Sequence, residues 1–445
     1  MADKMHSARR LILIELNEIN FDVVRRYVAS RHNLPGFTRL LAGSQIATRA
    51  EPKYESIEPW IQWPSAHLGL SADEHRIFRL GDIVSSKEPQ FFEQLERHGL
   101  RVGAVSPMNA ENRLADPAYF IPDPWTSTPP DRSWWSRALA GAVSQAVNDN
   151  SKGTITARSV LHLALAMLRF AQPKHYSTYL RLALRSRGAP WRKALLLDLL
   201  LHDVHVSLFS ARRADFSTLF LNAGAHIQHH YFFNSRMLSE QVTIRNPDWY
   251  VAPELDPISE MLDVYDLVVR DYLAMTGVDV IVATGLSQTP YDRVKFYWRL
   301  RDHADLLRTV GIRFKQVLPR MTRDFLIEFE TPEDACVAEG QLVSLNVDGV
   351  PLFGDIDNRG DSLFVTLTYP SEVSASTQLQ VDGRSIPLSP HVVFVAIKNG
   401  MHQDKGFAFF TPNVVPFAPR DGDHVKELHS TITGFFGLAK APRPA

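Results

Sequence analysis

Cysteine is nearly absent: Cys336 alone among 445 residues. That excludes an internal disulfide and a thiolate zinc cage, and it predicts a reducing compartment, with cytoplasm the expected location. Charge of one sign is also lacking, because 48 Lys and Arg nearly balance 49 Asp and Glu. Neither a polyanion-binding surface nor an acidic tail is indicated, so nucleic acid is not an expected partner. Long hydrophobic runs are missing as well. Leu161 to Ala171 and Ala194 to Leu201 both fall well short of the roughly 20 apolar residues that span a bilayer. Arg9 and Arg10 precede LILIEL, but that run is short and broken by Glu15, so it reads as a first strand and not as a signal sequence. The basic region containing Arg181, Arg185, Arg187, Arg192, Lys193, Arg212 and Arg213 offers a peripheral membrane contact or a solvated helix face. There is no internal repeat, and the only biased stretch is the terminal KAPRPA.

Periodicity supplies the architecture. RLILIELNEI alternates and is followed by FDVVRRYVAS with helical spacing, giving strand, turn and helix. FFEQLERHGLRVGAVSP reads as a helix closed by Gly99 and a short strand. Ile258 to Leu273 followed by VDVIVAT repeats that grammar. Alternating helices and strands predict an α/β fold, a mostly parallel sheet with helices on both faces. Residues 129–217 carry helical pattern throughout and read as an inserted helical cap. Residues 320–390 read as a small α+β insertion, with HVVFVAIKNG returning the chain to the sheet. The expected division is therefore 1–128, 218–319 and 391–445 for the core, 129–217 for the cap and 320–390 for the small subdomain.

The densest chemical signal is FLNAGAHIQHHY, Phe220 to Tyr231: a strand-like run that breaks at small residues into His226, His229 and His230. Imidazole is the commonest protein ligand for zinc-like metals and the usual acid or base near neutral pH. A strand opening into a helix puts these side chains at the carboxyl edge of a sheet, where open α/β folds bind ligands. The competing reading is a set of helix histidines that only form hydrogen bonds. Adjacent helix residues do not share a face, so His230 is expected to point away from His229.

Four segments in order resemble the alkaline phosphatase superfamily, in particular its type I phosphodiesterase and nucleotide pyrophosphatase branch. LILIELNEINFDVV resembles the strand that ends in a metal-binding Asp-Gly, and PWIQWPSAHLGLSADEHRI the segment that carries the nucleophile. FLNAGAHIQHHYFF resembles the strand with Asp-x-x-x-His, and KNGMHQDKGFAFF the final ligand motif, Gly-x-His-x-x-x-Gly. HVKELHSTITGFFGL then matches the closing helix. The resemblance takes in both ends and the core and leaves out the two insertions. It implies an alkaline-phosphatase-like fold and two-metal displacement at phosphorus or sulfur.

The departures are as telling. Asn17 stands at the first aspartate position, Gln62 at the nucleophile, and Thr284, Gly285 and Leu286 at the family's Asp-His-Gly. In the Asp-x-x-x-His register His229 is the ligand and Ala225 replaces the aspartate; a shifted register pairs Asn222 with His226. One metal site is thus stripped, while His229 and His402, with His226 as a replacement, leave a ligand set for a single divalent ion, zinc or manganese. Glu18 is the local candidate for a base or carboxylate ligand, Gln62 for holding a substrate oxygen, and His75 for a structural turn histidine. Asn17, Glu18 and Gln62 are accordingly the expected catalytic residues, and His226, His229 and His402 the expected metal ligands. The expected function is hydrolysis or transfer on a small phosphorylated or otherwise anionic ester, such as a phosphorylated glycan or nucleotide derivative, admitted between cap and subdomain. The alternative is an inactive relative that binds or scaffolds. Oligomeric state is left open.

Overall fold

The run LILIEL becomes strand β1, Leu11–Leu16, buried at every position. Ile12, Ile14 and Leu16 enter one hydrophobic core, whereas Leu11 and Leu13 enter another. Side chains of a strand alternate between faces, so this split means that both faces of the sheet are covered. The computed structural model describes residues 9–30, 33–148, 155–238, 243–319 and 323–438.

With β2 (Ser44–Arg49), β3 (Val102–Val105), β4 (Tyr119–Ile121), β5 (Phe216–Leu221) and β6 (Asp279–Ala283), the sheet runs β2, Lys405–Phe410, β6, β1, β5, β3, β4. The strands from β6 to β4 are parallel, and Lys405–Phe410 runs antiparallel between β6 and β2. One face carries α1 (Phe21–Ala29), α2 (Pro35–Leu41) and the helices Trp191–Arg212, Ala223–Tyr231 and Pro257–Leu273. The other carries α3 (Pro59–Leu68), Phe91–Arg97 and Glu427–Phe435. The expected α/β sheet with helices on both faces is present.

The chain divides into two compact units, Met1–Pro290 with Gly400–Ala445, and Tyr291–Asn399. The second is wider than the 320–390 expected from the sequence. HVVFVAIKNG does not return to the main sheet: Val392–Gln403 pairs with Ser287–Leu300 in a two-stranded ribbon, and the sheet resumes only at Lys405. A run that alternates apolar and polar residues names a strand but not its partner. Within the second unit the helix Pro332–Ser344 accompanies two four-stranded sheets.

The helical stretch also departs from the picture of a cap. Its helices are Trp134–Asn148, Ala157–Phe170, Tyr176–Leu184 and Trp191–Arg212. The last packs on β3 and β5, and its Leu195, Leu199 and Val204 are fully buried in the core beneath the sheet. It has 22 residues, longer than the apolar run suggested, and is long and apolar enough to cross a membrane, yet 61% of its apolar window is buried within the protein. Here it is a core helix.

Candidate functional site

β1, β5 and β6 are parallel, so their carboxyl ends lie at one edge, where the antiparallel Lys405–Phe410 begins. The N–H of Asn17 donates to the carbonyl of Leu221 (3.2 Å) and that of Glu18 to the carbonyl of Thr284 (3.0 Å), so the chain leaving β1 stays between its two neighbours. Glu18 has φ 62°, the left-handed region that a non-glycine residue seldom adopts. Two residues later the Asn20 side chain accepts from the N–H groups of Asp22 and Val23 and starts α1. The turn is thereby fixed on both sides, with the Glu18 carboxylate held at the sheet edge.

Three side chains converge there. Glu18 Oε2 lies 3.1 Å from His229 Nε2 and 3.0 Å from His402 Nε2, and the two imidazole nitrogens are 3.2 Å apart. Glu18 is 3% exposed, His402 13% and His229 31%, so the carboxylate forms the floor and His229 the mouth. Glu58 Oε2 stands 3.4 Å from His402 Nδ1, behind the imidazole. Gln288 Nε2 donates to Glu18 Oε2 (2.5 Å), Asn17 Nδ2 donates to Glu18 Oε1 (3.0 Å), and Gln228 Nε2 donates to the Glu18 carbonyl (2.8 Å). Gly400 leaves the room this packing needs, since a Cβ there would fall 2.1 Å from Gln288 Oε1.

Electrostatics tie the group together. Burial opposes ionisation of Glu18, but the His402 and His229 imidazoles more than offset it and hold the carboxyl well below its usual range. Burial likewise works against a charged His402, and Glu18 and Glu58 reverse that, raising it to about 9. Such a set suits a divalent cation. A metal about 2.0–2.1 Å from each of its donors separates tetrahedral donors by about 3.3 Å. The observed triangle, 3.0 to 3.2 Å on a side, fits that requirement. A carboxylate behind one ligand imidazole is the usual arrangement for fixing its tautomer and ring orientation.

The other expected residues fall elsewhere or act differently. Asn17 accepts from Trp63 Nε1 (2.9 Å) and donates to Asn222 Oδ1 (2.8 Å), so its amide braces Glu18. Gln62 is fully buried, and its amide is committed to the Glu51 N–H (3.2 Å) and the Ser56 carbonyl (2.7 Å). It holds its own loop instead of facing a substrate. His226 is exposed and sets its ring against His230, 4.7 Å away, in place of joining Glu18. Residues four apart share a helix face, which brings His226 beside His230, while His229 is the one of the three that meets Glu18. His75 bonds Ser65 Oγ and the Ile77 N–H, both at 2.9 Å, a structural role. Glu58 and Gln288 escaped the sequence reading. Glu58 lies one residue before PWIQWP, and Gln288 two residues beyond the three compared with Asp-His-Gly, so both stood within reach of segments already singled out.

No family model matches the chain, and no curated protein matches it. Solved structures similar to it include phosphonoacetate hydrolase from Sinorhizobium meliloti 1021 with phosphonoformate, at 12% identity and TM-score 0.43 over 96% of each chain. Another is murine ectonucleotide pyrophosphatase / phosphodiesterase 5, at 11% identity and TM-score 0.40 over 98% of this chain and 97% of that one. A third is Thermus thermophilus alkaline phosphatase, at 12% identity and TM-score 0.41 over 99% and 96%. At such distances the chemistry must be read from the residues of the site.

Proposed function

We propose that the chain is a divergent relative of the alkaline phosphatase superfamily that hydrolyses or transfers a phosphorylated or otherwise anionic ester with one divalent metal ion. The observation that carries this reading is the meeting of Glu18 Oε2, His229 Nε2 and His402 Nε2 within 3.2 Å at the carboxyl edge of the sheet. Glu18, His229 and His402 would hold the ion. When bound, such an ion neutralises developing charge on the ester and makes water a better nucleophile at neutral pH. Three protein ligands leave a position open, as catalytic sites do and closed structural ones do not. His229 borders that opening. Glu58 keeps the His402 ring oriented with Nε2 inward, and Asn17 with Gln288 fixes both oxygens of Glu18. The residue at the expected nucleophile position, Gln62, carries no nucleophilic group, and its amide is already bonded to Glu51 and Ser56.

That same enclosure of Gln62 favours the second reading, a binding protein that keeps the metal and has lost turnover. Metal analysis of protein purified without chelator, followed by assays on aryl phosphate mono- and diesters, separates the readings. The enzyme reading expects about one equivalent of metal per chain and turnover abolished in His402→Ala. Metal without turnover leaves the binding reading, and a metal content far below one equivalent that is unchanged in His402→Ala defeats both.

A further inference from the structure

Two helices of the helical stretch show solvent the face that a soluble protein would make polar. On Ala157–Phe170 the exposed row is Val160, Leu161, Ala164 and Leu168, spaced as one helix face, with Leu168 84% exposed. On Tyr176–Leu184 it is Tyr176, Leu180 and Leu184, the last 74% exposed. Both helices lean on Trp191–Arg212 and turn these rows away from the core. Scattered exposed leucines are ordinary, but apolar rows on two neighbouring elements mark a surface that something covers.

Charge identifies the partner. Residues 155–197 contain eight Lys and Arg and no Asp or Glu, although the whole chain has a net charge of −1. Arg192 is spent on Glu260 and Lys174 on Asp271. Arg158, Arg181, Arg185 and Arg187 are exposed and have no ion-pair partner among the described residues. Apolar rows flanked by unpaired arginines suit the boundary of an anionic lipid bilayer, where the leucines enter the acyl region and the arginines meet headgroup phosphates. We infer that the helices Ala157–Phe170 and Tyr176–Leu184 form a peripheral docking surface for anionic membrane. The rest of the chain carries a net charge of −9, which offsets these eight cations and explains why the bulk composition hides them. The site built on Glu18 uses none of these residues, so this surface stands whether or not that site is catalytic.

Flotation of the full chain with vesicles tests it. Binding is expected to phosphatidylcholine containing phosphatidylglycerol, to be weak with phosphatidylcholine alone, and to fall as salt rises. Arg181→Glu, Arg185→Glu and Arg187→Glu together should lower partitioning by about 100-fold, taking about fivefold for each lost basic side chain. Leu168→Ser with Leu184→Ser should weaken it too while leaving metal content and the thermal midpoint unchanged, because both residues are exposed. No flotation with anionic vesicles at low salt overturns the inference, as does binding that neither set of substitutions alters. Light scattering that shows a dimer which the leucine variant converts to monomer also overturns it, assigning the face to a second copy of the chain.

Discussion

Glu58 decides how firmly His402 presents its inner nitrogen, because the carboxylate 3.4 Å from Nδ1 selects the tautomer that leaves Nε2 a lone pair. Glu58→Gln keeps the size and loses the charge. Metal affinity, read by competition with a chelating dye, should fall about 10- to 100-fold, while the thermal midpoint of metal-free protein changes little because Glu58 is partly exposed at 29%. An unchanged affinity would mean that the His402 ring is oriented by its backbone alone. At this scale the sequence was half legible. His229 and His402 stand out because motifs surround them, and Glu18 because it follows the first strand. Gln62 and His226 misled for physical reasons. A motif position names the residue that occupies it but not whether its amide is already bonded, and helix phase turned His226 toward His230.

Among elements, the helical stretch is bound to the core by a buried polar cluster that no motif announced. His175 Nδ1 lies 2.8 Å from Asp203 Oδ1 and its Nε2 lies 3.2 Å from Asp271 Oδ2, while Lys174 reaches Asp271 Oδ1 at 2.7 Å. The cluster joins the segment before Tyr176–Leu184, the helix Trp191–Arg212 and the helix Pro257–Leu273. Burial opposes a charged His175, but Asp203 and Asp271 prevail and raise it to about 9. A group raised on folding stabilises fully below its unfolded pKa, about 6.5, and that stability is lost as pH climbs through the folded value. The difference in thermal midpoint between wild type and His175→Gln should therefore be largest at or below about pH 6.5 and shrink toward pH 9. A difference that stays flat across that range would show that His175 is neutral in the folded protein. The sequence gives the helices here through periodicity, but the pairing of His175 with side chains 28 and 96 positions away is a property of the packed layer.

At the scale of the whole molecule, the order of strands and helices was largely readable because most core strands, β1, β2, β4 and β5 among them, are followed by a helix whose apolar spacing must cover the sheet. Pairing was not: Val392–Gln403 alternates like a sheet strand and instead pairs with Ser287–Leu300. The division that results has a thermodynamic consequence. Glu18, Glu58, His229, Gln288 and His402 all belong to the unit Met1–Pro290 with Gly400–Ala445, and Tyr291–Asn399 contributes none of them. A ligand that binds only the folded form stabilises the cooperative unit that holds its site, by about 2.7 kcal/mol at a hundred times its Kd. Two units that unfold separately make a single stability value for the chain undefined, so each transition must be followed by itself. With an unfolding entropy of about 2.1 cal/mol/K per residue, the larger unit should gain about 4 °C under that zinc concentration. Calorimetry of metal-stripped protein with and without zinc should show that shift in one transition, with the other unmoved, and chelator should reverse it. If both transitions rise together, the units unfold as one. If neither rises, the three donors at the sheet edge do not bind zinc, and Glu18 with its two histidines is a buried ion pair and nothing more.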